Sequence, residues 1–417
     1  MGKYIVAGGK RLNGHVAVHG SKNAVLPIMA ATVLTGAQSV IHNCPDIADT
    51  RCSIKILRHL GCDVDYDGYT LVVNSANADG IALPEEAVNK MRSSIIFAGA
   101  LLGRFGVVDS AYPGGCLLGG RPIDLHLQAF CQMGVVFEDA LDVIIGKADK
   151  LAGARINLAF PSVGATQNIM LAAVLACGTT TITNAAKEPE IVDLQGFLNA
   201  CGADVRGAGT GIIVINGVKT LMPAEYTIMP DRIVAGTYMV AGAITGGHIS
   251  LSNVRPPDVY PMAKALSNMG VDLWGEGEML VLKSGGRLKS LPRLVTKPYP
   301  GFPTDMQAQF TALLATTSGQ SAVEENLFEA RHAHIAELAK MGANIELVGD
   351  SRFIINGAAR LHSADVTAKD LRGGAALVLA GLNACGETTV HNACYIQRGY
   401  VDIAADLCSL GADVRLA

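Results

Sequence analysis

Residues 111–126 read AYPGGCLLGGRPIDLH and hold one cysteine, Cys116, between two glycine pairs. Four glycines in seven positions disfavour helix and strand, because glycine loses more backbone freedom on folding than any other residue. The stretch is predicted to be a mobile loop, and a long glycine-rich loop is more typical of ligand binding than of a plain connection. The thiol of Cys116 suits a nucleophile when ionised and a proton donor when protonated.

Basic side chains at the starts of predicted apolar helices form a second chemical feature. Lys22, Arg92, Arg232 and Arg372 occupy such starts, where the helix dipole disfavours a cation by about 0.3–1 kcal/mol. We interpret this repeated placement as anion binding, which would combine free N–H groups, dipole and cation. Polar neighbours at the same starts, several of them N-cap types, are Ser21, Asn23, Ser93, Ser94, Ser162, Thr166, Asp231, Thr304, Asp305 and Asp370.

Other ligand motifs do not fit their consensus. GGCLLGGR continues with Gly120 and Arg121, where a phosphate loop requires Lys and Ser or Thr, and GAGTG at Gly207 has the wrong spacing for a dinucleotide fingerprint. No cluster has the spacing of metal ligands. His332 and His334 lie two residues apart on a predicted helix, and we interpret both as surface or cap histidines.

The elements that position these residues repeat about every 70 residues along the chain. Each copy has a glycine between apolar residues after an amphipathic helix: Gly61, Gly134, Gly202, Gly270, Gly342 and Gly411. A second helix, apolar on all sides, precedes each signature and is predicted to be buried. The pattern predicts an α/β fold of six units, three in each domain, with one buried helix, one surface helix and several strands per unit.

The composition limits the classes of partner. The 417 residues favour two or three domains. A net charge of −4 gives no reason to expect nucleic acid or an anionic membrane, and a clamp around DNA would need a basic bore. The start resembles no signal peptide, and polar residues interrupt the longest uncharged stretch, 233–254, so a cytoplasmic protein is predicted. Nine of the ten cysteines are interpreted as buried free thiols, with Cys116 as the exception.

Seven motifs occur in order along the chain. They are SKNA at Ser21, PGGC with RPIDLH in residues 113–126, PSVGAT at Pro161, EPEIVD at Glu188, PDRI at Pro230, FPTDMQAQF at Phe302 and RGY at Arg398. Together they resemble the UDP-N-acetylglucosamine 1-carboxyvinyltransferase family of enolpyruvyl transferases. The resemblance covers the whole chain without large insertions, and the cysteine loop and FPTDMQAQF are its most specific parts.

The resemblance implies an inside-out α/β barrel of two domains, each built from three repeated units. One domain would comprise residues 22–229, and the other would take both chain ends, residues 1–21 with 230–417. The implied reaction transfers the enolpyruvyl group of phosphoenolpyruvate to the 3-hydroxyl of UDP-N-acetylglucosamine and releases phosphate through a tetrahedral intermediate. This is the first committed step of peptidoglycan synthesis. No metal and no organic cofactor is implied, and the oligomeric state stays open.

The catalytic positions follow from the motifs by resemblance. Lys22, Arg121 and Arg398 would clamp phosphoenolpyruvate, and Arg92 and Arg331 would line the same cleft. The split of these residues between the two implied domains suggests a site that closes over its substrates.

The resemblance also implies roles for the sugar and nucleotide contacts. Asn23 and Asp305 would meet the sugar, with Asp305 as the base for its 3-hydroxyl. Cys116 would take part in protonating the enol carbon, form an adduct with phosphoenolpyruvate and react with fosfomycin. The uridine and diphosphate cradle would comprise Arg121, Pro122, Ile123, Asp124, Leu125 and His126 with Ser162, Val163 and Gly164, and Leu327 and Arg372 complete the substrate-binding set.

Three positions depart from the family pattern. Gln167 and Val234 stand where glutamate is usual, and Ala330 stands where asparagine is usual. None removes an implied catalytic group, but the departures leave open a divergent second copy of the enzyme. Two alternatives remain: 5-enolpyruvylshikimate-3-phosphate synthase, which lacks this cysteine loop, and a scaffold without catalysis, which the intact catalytic set disfavours.

Overall fold

The computed structural model describes residues 2–114, 123–138, 143–358 and 360–417. The chain divides into two compact units. One, here called the central unit, holds the described residues between 20 and 229, and the other, the terminal unit, holds residues 2–19 with 230–417. No described helix is both long and apolar enough to cross a membrane.

The described residues form fourteen α-helices. They are α1 (Lys22–Thr32), α2 (Ala48–His59), α3 (Glu85–Lys90), α4 (Ile96–Phe105), α5 (Asp124–Gln132), α6 (Val163–Ala173), α7 (Pro189–Ala200), α8 (Arg232–Thr245), α9 (Pro256–Met269), α10 (Gln307–Leu314), α11 (Ala333–Lys340), α12 (Leu371–Asn383), α13 (Ala393–Ile396) and α14 (Ile403–Ser409). Short 3₁₀ turns at Val33–Thr35, Arg92–Ile95 and Thr304–Met306 extend α1 and lead into α4 and α10.

The strands of the same described residues number twenty-three. They are β1 (Lys3–Ala7), β2 (Asn13–Ala17), β3 (Gln38–His42), β4 (Asp63–Tyr66), β5 (Leu71–Asn74), β6 (Val107–Ala111), β7 (Val136–Phe137), β8 (Val143–Lys147), β9 (Arg155–Asn157), β10 (Thr179–Thr183), β11 (Asp204–Arg206), β12 (Ile212–Asn216), β13 (Glu225–Thr227), β14 (His248–Ser252), β15 (Asp272–Glu276), β16 (Met279–Lys283), β17 (Arg293–Val295), β18 (Gln320–Glu324), β19 (Asn344–Val348), β20 (Arg352–Asn356), β21 (Asp365–Thr367), β22 (Glu387–His391) and β23 (Asp413–Leu416).

These strands form three small sheets in each unit, within the described part of the chain. The central unit has the orders β13-β3-β5-β4, β6-β8-β7 and β11-β12-β10-β9. The terminal unit has the orders β15-β16-β14-β2, β17-β18-β20-β19 and β21-β22-β1-β23. Both chain ends contribute to the last sheet, because β1 pairs antiparallel with β22 and with β23.

The core of each unit contains three helices that are buried over nearly their whole length. They are α1, α4 and α6 in the central unit and α8, α10 and α12 in the terminal unit. The prediction of six buried helices is therefore confirmed. The α/β class is confirmed as well, because helices and strands alternate along the chain and each unit has three sheets and three buried helices.

The signature glycine has a common backbone role in all six copies. Each adopts a positive φ, between 85° and 99°, directly after a surface helix. A left-handed residue of this kind ends a helix, and glycine adopts that conformation without the steric penalty of a Cβ atom. The repeated signature thus marks the end of the surface helix in each unit.

The burial prediction for the cysteines is largely wrong. Among the nine cysteines in the described residues, Cys44, Cys62 and Cys201 are buried and Cys52 is partly buried, and all nine are free thiols. The other five are exposed: Cys131, Cys177, Cys385, Cys394 and Cys408. Their apolar neighbours suggested burial, but they lie on or just beyond helix ends and on the outer faces of surface helices.

Candidate active site

The three buried helices of the central unit begin at one end of that unit. A Cβ atom on Gly99 would lie 2.4 Å from the backbone oxygen of Asn168, and one on Gly103 would lie 2.9 Å from that of Leu171. Both contacts advance in the same direction, so α4 and α6 run parallel. The Gln167 side chain reaches the Asn23 carbonyl at 3.5 Å, which places the start of α1 at the same end.

Lys22 lies at the first position of α1, where the sequence predicts an anion site. Its ammonium is buried and forms an ion pair with the carboxylate of Asp49 at 2.7 Å. Asp49 belongs to the first turn of α2 and is buried too. A buried pair of this kind holds the ammonium group in one place. Neighbouring Asn23 is partly buried.

Ser162 and Arg92 occupy the starts of the other two buried helices. The Ser162 hydroxyl accepts a hydrogen bond from the Ala165 N–H at 3.3 Å, so it caps α6 as predicted. Arg92 begins the 3₁₀ turn before α4, and its guanidinium donates to the carbonyl of Pro113 at 3.4 Å. Two cationic side chains, Lys22 and Arg92, thus lie at helix starts on one end of the central unit, an arrangement that favours anions.

His126 lies in the first turn of α5 and is buried. Its Nδ1 atom lies 2.7 Å from the side-chain nitrogen of Asn168, in the middle of α6. Burial and the charge of Arg92 lower the pKa of His126 to about 4, against a smaller opposite effect of Asp124. The imidazole is therefore neutral at physiological pH.

The cysteine loop falls outside the described residues. Cys116, Arg121 and Pro122 all lie there, so their predicted roles stay predictions. The chain is described again from Ile123, which precedes α5, and Asp124 and Leu125 form the first turn of that helix.

In the terminal unit, a carboxylate just before α10 is held between Arg372, at the start of α12, and Arg331, which precedes α11. Asp305, in the 3₁₀ turn before α10, accepts from Arg331 Nη2 at Oδ1 and from Arg372 Nη2 at Oδ2, both at 2.9 Å. Both guanidinium groups are buried, while a quarter of the Asp305 side chain is exposed. The sequence predicted each residue, and the structure brings all three together.

The arginines decide the charge of Asp305. Burial alone would raise its pKa, but the charges of Arg372 and Arg331 and their hydrogen bonds hold the pKa well below its usual range. A carboxylate in this arrangement is a weak base. Two guanidinium nitrogens, Arg331 Nε and Arg372 Nη1, are buried and find no acceptor among the residues that the structure describes.

Glu325 is linked by hydrogen bonds to the ion pair of Asp305 with Arg331. Its buried carboxylate accepts from the hydroxyl groups of Thr296 and Thr304, each at 2.8 Å, and from the Leu327 N–H at 2.9 Å. The Thr304 oxygen in turn accepts from Arg331 Nη1 at 2.7 Å. A hydrogen-bonded chain thus leads from Glu325 through Thr304 to the arginine that binds Asp305.

Arg398 lies beside the start of α12. It follows α13 and is partly buried, and a Cβ atom on the next residue, Gly399, would lie 2.8 Å from the Leu371 side chain. Nearby, the guanidinium of Arg372 lies 6.0 Å from the ring centre of Tyr400. Arg398 and Arg372 therefore lie at the same end of the terminal unit.

The interpretation of His334 as a surface or cap residue is wrong. His332 does precede α11 at the cap position, but His334 is buried, and burial lowers its pKa to about 4. The error arose because spacing alone does not tell which face of a short helix packs on a neighbour. Within the described ranges, no three His, Cys, Asp or Glu side chains are grouped so that they could hold a metal ion.

Sequence reasoning missed three supporting residues. In the sequence, Asn168 lies within an apolar helical pattern, Glu325 belongs to no recognised motif, and nothing links Asp49 to Lys22. A polar residue inside an otherwise apolar buried helix must find a partner, and this signal was available for Asn168. The other two are paired only by the tertiary fold.

Comparisons with known proteins agree with the fold and the resemblance. The family model of EPSP synthase (3-phosphoshikimate 1-carboxyvinyltransferase) matches residues 6–407. A UDP-N-acetylglucosamine 1-carboxyvinyltransferase 2 from Caldanaerobacter subterraneus subsp. tengcongensis is 47% identical over 414 residues, 99% of both chains. A UDP-N-acetylglucosamine 1-carboxyvinyltransferase 1 from Halalkalibacterium halodurans is 47% identical over 99% of this chain and 94% of its own.

A solved structure extends the comparison. The enolpyruvyl transferase NikO from Streptomyces tendae superposes with a TM-score of 0.88 at 27% identity, covering 100% of this chain and 99% of its own. The resemblance inferred from the motifs is thereby confirmed. The chain belongs to the EPSP synthase family of carboxyvinyltransferases, among the UDP-N-acetylglucosamine 1-carboxyvinyltransferases.

Proposed function

We propose that this protein transfers the enolpyruvyl group of phosphoenolpyruvate to the 3-hydroxyl of UDP-N-acetylglucosamine and releases phosphate, at the committed step of peptidoglycan synthesis. The observation that carries the proposal is the near-complete match, at 47% identity, to relatives named for this transfer. The cations at helix starts in each unit support it, because both substrates are anions. Lys22 and Arg92 serve in the central unit. In the terminal unit Arg372 serves at the start of α12, and Arg331 and Arg398 lie outside the helices beside it.

The proposed chemistry is addition followed by elimination. Asp305 takes the proton from the 3-hydroxyl, the hydroxyl oxygen attacks C2 of phosphoenolpyruvate, and the Cys116 thiol protonates C3. The resulting tetrahedral intermediate then loses a proton from C3 and expels phosphate, which regenerates the enol double bond. Because Asp305 is a weak base while both arginines hold it, we infer that substrate binding draws at least one guanidinium away before proton transfer.

The remaining assignments belong to the same proposal. The two domains comprise residues 22–229 and residues 1–21 with 230–417, each an inside-out α/β barrel of three units. Three sheets and three buried helices in each described unit support that architecture. Asn23 and Leu327 contact the sugar nucleotide, and residues 121–126 with 162–164 form its cradle. The reaction takes place in the cytoplasm and needs no metal or organic cofactor.

A phosphate-release assay tests the proposed function. Purified protein is given phosphoenolpyruvate with UDP-N-acetylglucosamine or with shikimate 3-phosphate, the acceptor named in the matching family model. We expect phosphate release with the nucleotide sugar alone, and loss of it in Cys116→Ala. Release with shikimate 3-phosphate instead, or with neither acceptor, would contradict the proposal.

A further inference from the structure

We propose that Asn168 fixes His126 in the tautomer with its proton on Nε2, so that the neutral imidazole donates a hydrogen bond to a diphosphate oxygen of the bound nucleotide. The identity of the ligand rests on the proposed function. The tautomer rests on contacts within the central unit alone. Asn168 acts as a positioning residue, since it touches His126 and not the substrate.

The backbone determines which way the Asn168 amide faces. The N–H of Gly99 lies 2.8 Å from Oδ1 of Asn168, and a backbone N–H is always a donor, so this atom must be the amide oxygen. The opposite orientation would set the N–H of Gly99 against an NH₂ group. The amide nitrogen of Asn168 therefore faces the other way.

Both hydrogens of that nitrogen are then accounted for. Nδ2 of Asn168 donates to the carbonyl oxygen of Ile95 at 2.9 Å, and its second hydrogen points to Nδ1 of His126 at 2.7 Å. Since an amide nitrogen does not accept hydrogen bonds, Nδ1 of His126 has to be the acceptor. A neutral imidazole whose Nδ1 accepts carries its proton on Nε2.

The charged groups around His126 favour the neutral form. Arg92, from the 3₁₀ turn before α4, disfavours a second positive charge, and Asp124, on α5 itself, has a smaller opposite effect. The α6 helix contributes no charged side chain. Protonation of Nδ1 would also set its hydrogen against the NH₂ group of Asn168, which adds to the penalty.

The Nε2 atom lies at the start of α6. A Cβ atom on Gly164 would lie 3.3 Å from Nε2 and 3.1 Å from Cε1 of His126, so glycine leaves the room that the ring needs. Val163 and Gly164 are the first two residues of the helix, and their N–H groups have no acceptor within it. An Nε2–H donor beside these groups extends a cluster of donors suited to a phosphate oxygen.

Nitrogen-15 NMR of histidine-labelled protein tests the tautomer directly. Among the ten histidines, His126 is assigned as the signal lost in His126→Gln. We expect a protonated Nε2 and an unprotonated Nδ1 between pH 6 and 9. In Asn168→Asp the carboxylate accepts instead, so the proton should move to Nδ1. A wild-type Nδ1–H signal, or an even mixture of tautomers, would overturn the proposal, whatever the variants do.

Kinetics test the consequence for binding. In Asn168→Asp at pH 8 the lone pair of Nε2 faces the ligand, and we expect the KM for UDP-N-acetylglucosamine to rise about tenfold while kcat changes less. The KM should fall again at lower pH, where the imidazolium regains its Nε2–H, whereas that of the wild type stays level. An unchanged KM in Asn168→Asp would contradict the role in binding.

Asn199→Ala serves as the matched control. Asn199 also bonds to the backbone of the central unit through both amide atoms, at Val205, but it is exposed on α7. It should leave the tautomer and the KM unchanged. Absence of any turnover in the wild-type protein would refute the proposed function, and the NMR result would still decide the tautomer.

Discussion

The two units place a titratable group at the same kind of location and control its charge in opposite ways. His126 in the central unit is kept neutral by burial, by Arg92 and by an amide that donates to it. Asp305 in the terminal unit is kept charged by two buried guanidinium groups. One repeated scaffold thus holds a neutral imidazole in one unit and a charged carboxylate in the other. The partners of each group, not the scaffold, set its chemistry.

The strongest test of this contrast removes the charge of Asp305. Asp305→Asn keeps the shape but cannot take a proton, so we expect kcat to fall by about 10²–10⁴-fold, the range for loss of a general base. Binding of UDP-N-acetylglucosamine, measured by calorimetry, should change much less. The exposed Asp365 provides the control variant Asp365→Asn in the same unit. A kcat within threefold of wild type would assign Asp305 a structural role only.

A glycine contact distinguishes how the helices pack in the two units. A Cβ atom on Gly99 would meet the Asn168 backbone oxygen at 2.4 Å and its Oδ1 at 2.6 Å, whereas one on Gly236 would meet the flexible Met306 side chain at 3.0 Å. We expect Gly99→Ala to lower the free energy of unfolding by about 1–3 kcal/mol or more, because backbone cannot move aside. Gly236→Ala should lower the free energy of unfolding by less than Gly99→Ala does, and urea titrations of both variants measure the difference. Equal losses would contradict this difference.

The pH dependence of stability tests the neutral state of His126. Its pKa is about 4 in the folded protein and about 6.5 in the unfolded chain. The unfolded chain therefore binds the proton first as pH falls, and stability decreases between pH 6.5 and 4. From pH 7.5 to 5.5, this group should remove about 1.3 kcal/mol of the unfolding free energy.

Two variants separate this contribution from the other groups that titrate. His126→Gln should lose less stability than wild type over the same pH interval in urea titrations, by about the same 1.3 kcal/mol. His59→Gln, at an exposed position on α2 of the same unit, should retain the wild-type dependence. A decrease in His126→Gln as large as that of wild type would show that His126 is not buried neutral.

The smallest expected effect concerns the support of Asp305. Glu325→Gln keeps the volume but weakens the bonds from Thr296, Thr304 and the Leu327 N–H. We expect kcat to fall about three- to fivefold, because hydrogen bonds to a charged group are stronger than neutral ones by about 1 kcal/mol. Glu329→Gln, at an exposed position in the same segment, is the control. Identical kcat values for Glu325→Gln and wild type would show that Glu325 does not help to position Arg331 and Asp305.

Sequence periodicity and motifs predict the repeated helices and most of the candidate site residues, whereas the remaining features depend on tertiary contacts. The six apolar helices and the glycine that ends each surface helix follow from local pattern, since burial on all sides and a left-handed backbone each restrict residue type. The grouping of Asp305 with Arg331 and Arg372 was accessible through the family motifs. The exposure of the cysteines and the burial of His334 depend on how the outer helices are rotated on their sheets. The role of Glu325 depends on hydrogen-bond partners that are distant in sequence, such as Thr296 and Thr304.

The central claim is that this protein transfers the enolpyruvyl group of phosphoenolpyruvate to UDP-N-acetylglucosamine, and carbon-13 NMR tests it most directly. Phosphoenolpyruvate labelled at C2 is incubated with UDP-N-acetylglucosamine and the protein, and a sample without protein serves as the control. The account predicts that the label appears as an enolpyruvyl ether on the 3-oxygen of the sugar, in step with phosphate release, and that the control leaves both substrates unchanged. Recovery of unmodified UDP-N-acetylglucosamine from the wild-type reaction would contradict the account.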